Sequence, residues 1–226
     1  MEILILILLL MVSLNFVLKL THHGAPGILL TALVAALFVG LSRDGAIEQS
    51  RTQIADWLAD TELMLDLSVL LTVDVLLYMS CYILLARRHN GAPMKRATRR
   101  LCLVLKWFPG LVIFPTLFGA LVSVVFLLPG VDFTLVAWSL AAAVFLLAVA
   151  GAYLFRLLLP EPELRLEVGF LLSALIACLG VVATVNGRTA VNGTGEVDLR
   201  ALGGVLLLLL VGAALGYMGY RRKARQ

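Results

Sequence analysis

The chain has 226 residues, of which 62% are apolar and only 14% charged, with a mean hydropathy of +1.03. A soluble domain of this length is about 45–50% apolar, so water is excluded as the main solvent for most of the chain. The net charge of +4 and pI of about 9.2 do not make a nucleic-acid footprint, because the basic residues fall between apolar runs, where membrane topology puts them.

In lipid every backbone N–H and C=O must be paired internally, which leaves helices or a closed barrel. Barrel strands alternate apolar and polar residues. The unbroken apolar run Ile3–Val12 does not alternate, so the fold class is all-α, a polytopic membrane helix bundle. Crossing about 30 Å of hydrocarbon takes about 20 residues, and the chain offers about seven such spans in a single transmembrane domain. The first covers 3–20; Glu2 stands where a signal peptide would be basic, and no small-residue cleavage site follows Leu20. The second, after Thr21-His22-His23-Gly24, covers 26–41 and is short. A polar stretch follows, in which Ile47, Ile54, Trp57 and Leu58 fall on one side of a helix, predicting an amphipathic outer segment over 46–59, either a lid on the bundle or a docking surface. The third span covers 67–86, and the basic segment Arg87–Arg100 comes next. The fourth covers 103–128, with Pro109 near its entry and Pro115 inside it as helix-kink positions. The fifth, sixth and seventh cover 133–157, 168–184 and 202–220.

Lysine and arginine placement sets the orientation. With the C-terminus in the cytoplasm, only Arg43, Arg51, Arg188 and Arg200 of the 18 basic residues lie outside, and the other fourteen lie inside. The reading is N-terminus out and C-terminus in, multi-pass, in a bacterial inner membrane. Arg87, Arg88, Lys95, Arg96, Arg99 and Arg100 form the densest cytoplasmic cluster, suited to anionic lipid or a partner protein.

Asp74, in Leu71-Thr72-Val73-Asp74-Val75-Leu76, lies inside the third span. Acids at that depth are costly and rare, which makes it a candidate proton relay or subunit contact. Tyr78 is one turn away on the same face. No Lys, Arg or His lies deep in another predicted span, so the sequence offers Asp74 no cationic partner. Either it is neutral and hydrogen-bonded, or another subunit supplies the partner. Asn15 in the first span is a candidate interhelix hydrogen-bonding group and a plausible partner for Asp74. Adjacent His22 and His23 point to different sides of a helix and make a poor metal site; no metal and no cofactor is expected. Cys81, Cys102 and Cys178 lie in or beside apolar runs without a C-x-x-C neighbour and read as small apolar residues. No Walker loop, nucleophile elbow or H-E-x-x-H is present, and an enzyme is not expected.

Six stretches together resemble one family: Ser13-Leu14-Asn15-Phe16, Ala46–Trp57 (AIEQSRTQIADW), Leu70–Val75 (LLTVDV), Trp107–Pro115 (WFPGLVIFP), Leu128–Trp138 (LPGVDFTLVAW) and Val182–Ala190 (VATVNGRTA). The resemblance is to multi-pass inner-membrane proteins of Bacteroidota that have no assigned chemistry and are encoded beside ExbB/ExbD/TonB-type genes. It implies a non-enzymatic accessory subunit of a proton-driven, energy-transducing Ton complex, with ExbB/ExbD-like partners besides the lipid bilayer. It carries over no functional residue. The other reading of the residues is a small stand-alone, proton-coupled transporter or channel, with Asp74 and the Pro115 break lining a central site.

Overall fold

The computed structural model describes residues 2–47, 61–128 and 130–189. The chain divides into two units, Met1–Asn186 and Gly187–Gln226, and the helix bundle lies in the first of them. The described residues form helices and no strands: α1 (Glu2–Leu20), α2 (Ala25–Leu41), α3 (Arg43–Ile47), α4 (Thr61–His89), α5 (Arg96–Trp107), α6 (Ile113–Leu127), α7 (Phe133–Leu158) and α8 (Pro162–Thr189). Asp66–His89, Phe133–Leu158 and Pro162–Val181 are long and apolar enough to cross a membrane. Leu6–Leu20, Ala25–Leu41 and Ile113–Leu127 are apolar but shorter. At 1.5 Å per residue, the 17 residues of α2 reach about 26 Å.

The tightest packing joins α2 and α7, which run antiparallel. The buried face of α2 is Gly27, Thr31, Ala32, Ala35, Ala36 and Gly40 with Ile28 and Val39, and the α7 face that packs with it is rich in alanine, at Ala137, Ala141, Ala148 and Ala152. Small residues let two backbones approach closely. The large side chains point outward instead: Leu29, Leu30, Leu33 and Leu37 of α2 and Leu146, Leu147, Leu154 and Leu157 of α7 are all exposed. Bulky apolar groups outside and alanine inside is the arrangement that a lipid solvent favours, and in water it would leave a large sticky surface.

Helix α1 is a shared wall. Phe16, Val17 and Leu20 join the core built with α2, α6 and α7, while Val12, Met11 and Leu8 pack with Leu71, Val75 and Ile176 of α4 and α8. Tyr78 and Tyr82 continue the second seam against Leu166 and Phe170. Close approaches are set by glycines: a Cβ on Gly151 would meet Val17 at 2.8 Å, and one on Gly169 would meet Tyr82 at 2.5 Å.

Several predicted elements differ from the structure. The span predicted over 103–128 is not one helix but two, α5 and α6, separated by a non-helical step at 108–112. The cause is local. Pro109 disfavours helical backbone at the residue before it, and Phe108 is extended (ψ 118). Gly110 then takes a positive φ of 112, which side-chain-bearing residues avoid. Pro115 is not a mid-helix kink: it is the third residue of α6, where its missing N–H has no intrahelical partner to lose. The fourth helix starts within the basic segment, so Arg96, Arg99 and Arg100 lie in α5. The helix predicted over 168–184 starts earlier, at Pro162. Of the predicted outer helix over 46–59, Ala46 and Ile47 end α3, while Ile54, Trp57 and Leu58 lie outside the described residues, as does the span 202–220.

Candidate functional site

The step between α5 and α6 leaves backbone groups unpaired inside an apolar bundle, and the buried polar side chains gather there. The last carbonyls of α5 face one way. Lys19, from the last turn of α1, donates its Nζ to the Phe108 carbonyl at 2.7 Å. Tyr78 of α4 donates its hydroxyl to the Pro109 carbonyl at 2.6 Å. On the other side, the backbone leading into α6 faces Asp74: Leu111 N–H donates to its Oδ1 at 2.6 Å. Lys19 and Asp74 are both buried, with 4% of each exposed.

The signs are those the helix dipoles ask for. A helix ends in partial negative charge and begins in partial positive charge. Lys19 meets the end of α5 and Asp74 meets the start of α6, so the broken helix is clamped at both cut ends by opposite charges. The Lys19 ammonium also lies over the Tyr78 ring, 4.2 Å from its centroid. Gly110 lies at the centre of the clamp. A Cβ there would lie 2.7 Å from the Tyr78 hydroxyl oxygen, so glycine is required both for its φ and for the close approach.

A second polar link runs one turn away. Tyr82 donates to Asn15 Oδ1 at 2.8 Å, Asn15 Nδ2 donates to Ser173 Oγ at 3.0 Å, and Ser173 donates to the Gly169 carbonyl at 2.8 Å. It ties α1, α4 and α8 together through hydrogen-bonded groups.

The turn between α1 and α2 is pinned from α7. The Arg156 guanidinium donates to the carbonyls of Thr21 and His23. A ring nitrogen of His23 lies 2.9 Å from the Lys106 carbonyl, and its ring meets Trp107 edge-on with centroids 5.0 Å apart. Burial is the largest cause holding His22 down to a pKa of about 3, helped by the positive charges of Arg165, Lys106 and Arg156. Burial also pushes His23 down, partly offset by its bond to the Lys106 carbonyl. Both rings are neutral at physiological pH, and His22 Nε2 is buried with no hydrogen-bond partner among the described residues.

The predicted site residues are thus only partly brought together. Asp74 and Tyr78 share the clamp with Pro109. Asn15 does not bond Asp74; it is occupied by Tyr82 and Ser173. Asp74 makes no ion pair among the described residues; Lys19 is the buried cation at the same break, on its other side, and bonds the Phe108 carbonyl. Lys19 stands at the end of a predicted span, where it reads as a flanking charge. Its spacing of four from Asn15 is the available signal, since it puts both on one buried face of α1. Arg87, Arg88, Lys95, Arg96, Arg99 and Arg100 are all exposed, on the end of α4 and the start of α5, facing away from the clamp's interior. Comparison with family models, with curated proteins and with solved structures found no match to this chain.

Proposed function

We propose that this chain is a non-enzymatic, multi-pass subunit of a bacterial inner-membrane complex, in which Asp74 and Lys19 hold a broken membrane helix closed. The observation that carries this reading is the clamp. The two buried charges each bond the backbone at the cut ends of α5 and α6. In this reading a proton on Asp74, or a neighbouring subunit's charge that satisfies either buried group, weakens the clamp and shifts the break toward an open state.

In this reading the chain crosses seven times, with its N-terminus outside and its C-terminus in the cytoplasm. Supporting that, contacts at Thr21–Arg156, His23–Lys106 and His89–Glu163 join the end of α1, the start of α2, α5, the end of α7, the end of α4 and the start of α8. Ten of the fourteen residues counted as cytoplasmic lie on or beside these elements; the other four, Arg221, Arg222, Lys223 and Arg225, lie outside the described residues. The resemblance to proteins encoded with ExbB/ExbD/TonB-type motors names the partner to look for. The test is a gentle-detergent pull-down of the tagged chain from native membranes. ExbB- and ExbD-like subunits in fixed ratio are the expected result, with Asp74→Asn impairing energised uptake; a chain that comes down alone overturns the subunit reading.

A second reading, a small proton-coupled carrier, is favoured by one observation. The break lies about half-way along the neighbouring α4, and carriers place binding sites at such broken helices. It requires water to reach Asp74 from one membrane face.

A further inference from the structure

A cavity of about 550 Å³ lies between the end of α4 and the start of α8. Sites that hold small organic ligands measure about 300–1,000 Å³. Tyr82, Ala86, Leu166 and Phe170 make an apolar floor, in which Tyr82 and Leu166 are buried. Ile83 and Leu171 form the walls, and with 46% and 65% of their surfaces exposed they open the cavity sideways. The polar end is different. Glu163 and Glu167, one turn apart on the same face of α8, line it together with Asn90. Glu167 makes no ion pair among the described residues, and Glu163 lies 3.5 Å from His89 in an exposed pair. On the α4 side, Arg87 follows Ile83 by four residues and precedes Asn90 by three, so it stands on the helix face that borders the cavity. The rim thus carries carboxylates on one helix and an exposed guanidinium on the other. From Tyr82 to Asn90 the cavity follows α4 for about 12 Å, a little less than half of the roughly 30 Å of bilayer hydrocarbon.

We infer that this cavity holds one phospholipid whose zwitterionic headgroup carries a primary ammonium, the phosphoethanolamine type. The ammonium meets Glu163 and Glu167, the Arg87 side chain reaches the phosphate, and an acyl chain lies along Ile83, Tyr82 and Phe170. The charges select this occupant. A purely anionic headgroup would meet two carboxylates, and a water-soluble amine would gain nothing from apolar walls that open sideways. The site rests on α4 and α8 crossing a membrane, which puts the rim at headgroup level in either orientation, and on no particular partner complex.

The full chain, purified in a neutral detergent, is titrated with phosphatidylethanolamine, phosphatidylcholine and phosphatidylglycerol of the same acyl chains, and bound lipid is counted by native mass spectrometry. One phosphatidylethanolamine is expected to bind saturably, about tenfold more tightly than phosphatidylglycerol, which is the worth of one charge-assisted hydrogen bond. Phosphatidylcholine, whose ammonium has no N–H to donate, should fall between them. Glu163→Gln together with Glu167→Gln, both at exposed positions, should remove the preference and leave the helix content unchanged. Equal affinity for the three lipids overturns the site, and so does a double variant that keeps the full preference. If the double variant does not fold, the ranking of the three lipids on the unaltered chain decides. In native membranes, a photo-reactive residue in place of Ile83 should capture phosphatidylethanolamine. A cross-link to another protein or within the chain, with no lipid adduct, shows that something else covers the cavity and overturns the proposal. None of these outcomes depends on whether ExbB- or ExbD-like subunits are bound.

Discussion

Gly110→Ala tests the geometry of the clamp most sharply. The added Cβ would lie 2.7 Å from Tyr78 Oη and 2.9 Å from its Cε2, both inside contact distance. Residue 110 would also have to hold a φ of 112, which costs alanine about 1–3 kcal/mol. Moving Tyr78 aside breaks its 2.6 Å bond and leaves the Pro109 carbonyl unpaired in an apolar interior, about 1–3 kcal/mol more. The sum is about 2–6 kcal/mol. For a chain of this length 1 kcal/mol moves the midpoint by about 2–4 °C, so a fall of about 10 °C is expected. The assay is thermal unfolding in detergent at one fixed scan rate, because unfolding of such a chain need not be reversible. Tyr78→Phe removes the nearer clash, so adding it to Gly110→Ala should cost less than the two single losses combined. A fall smaller than about 2 °C for Gly110→Ala would refute the clamp geometry, since neither the backbone nor the contact argument could then hold.

Other perturbations separate the parts. Asp74→Asn keeps an oxygen acceptor for Leu111 N–H and should cost about 1–2 kcal/mol, whereas Asp74→Leu orphans the N–H and Lys19 together and should cost about 3–5 kcal/mol; equal losses in the same melts would deny the acceptor role. Lys19→Met combined with Asp74→Asn should be milder than the sum of the two, with a coupling of about 0.5–3 kcal/mol in a double-mutant cycle. Gly169→Ala drives a methyl into Tyr82, 2.5 Å away, and should lower stability by about 1–3 kcal/mol by displacing that ring from Asn15, read in the same melts. His22 has a folded pKa of about 3 against 6.5 when unfolded, so the unfolded chain binds more protons between those values. Its contribution is complete above pH 6.5 and is lost as pH falls toward 3; melts of His22→Gln should show a shallower acid decline than the unaltered chain.

Much of the fold is legible in the sequence because lipid leaves few options. The long apolar runs of α4, α7 and α8 stand out, whereas the Pro109-Gly110 pair reads only as a kink at the entry of one span, because it takes Gly110's positive φ to end the helix there. How the break is satisfied is not legible. Asp74 accepts from a backbone N–H that is free only because the helix is cut there, so no side-chain partner can be read for it. Lys19 reaches the Phe108 carbonyl across 89 residues of sequence, and nothing local fixes how deep the break sits against α1. Ser173 is one serine in an apolar run until α8 places it against Asn15. The start of α5 is not legible because six basic residues crowd 87–100 and mark only a cytoplasmic segment. The helix accommodates them by turning Cys102 and Leu105 inward and leaving Arg96, Arg99 and Arg100 outside.

The most direct measurement asks whether the helix break is closed and dry at Asp74. Val112→Cys replaces a buried side chain beside the clamp while keeping its backbone N–H, in a chain whose Cys81, Cys102 and Cys178 are changed to alanine. Inverted and right-side-out native vesicles are then treated with a charged, water-borne thiol reagent, with Gly91→Cys in the exposed turn after α4 as the reactive control. A closed clamp predicts that the cysteine at position 112 stays unlabelled from either face while the position 91 control is labelled, and that adding Asp74→Leu opens it to the reagent. Labelling of position 112 at the control's rate with Asp74 intact would contradict the closed clamp and establish a water path to Asp74.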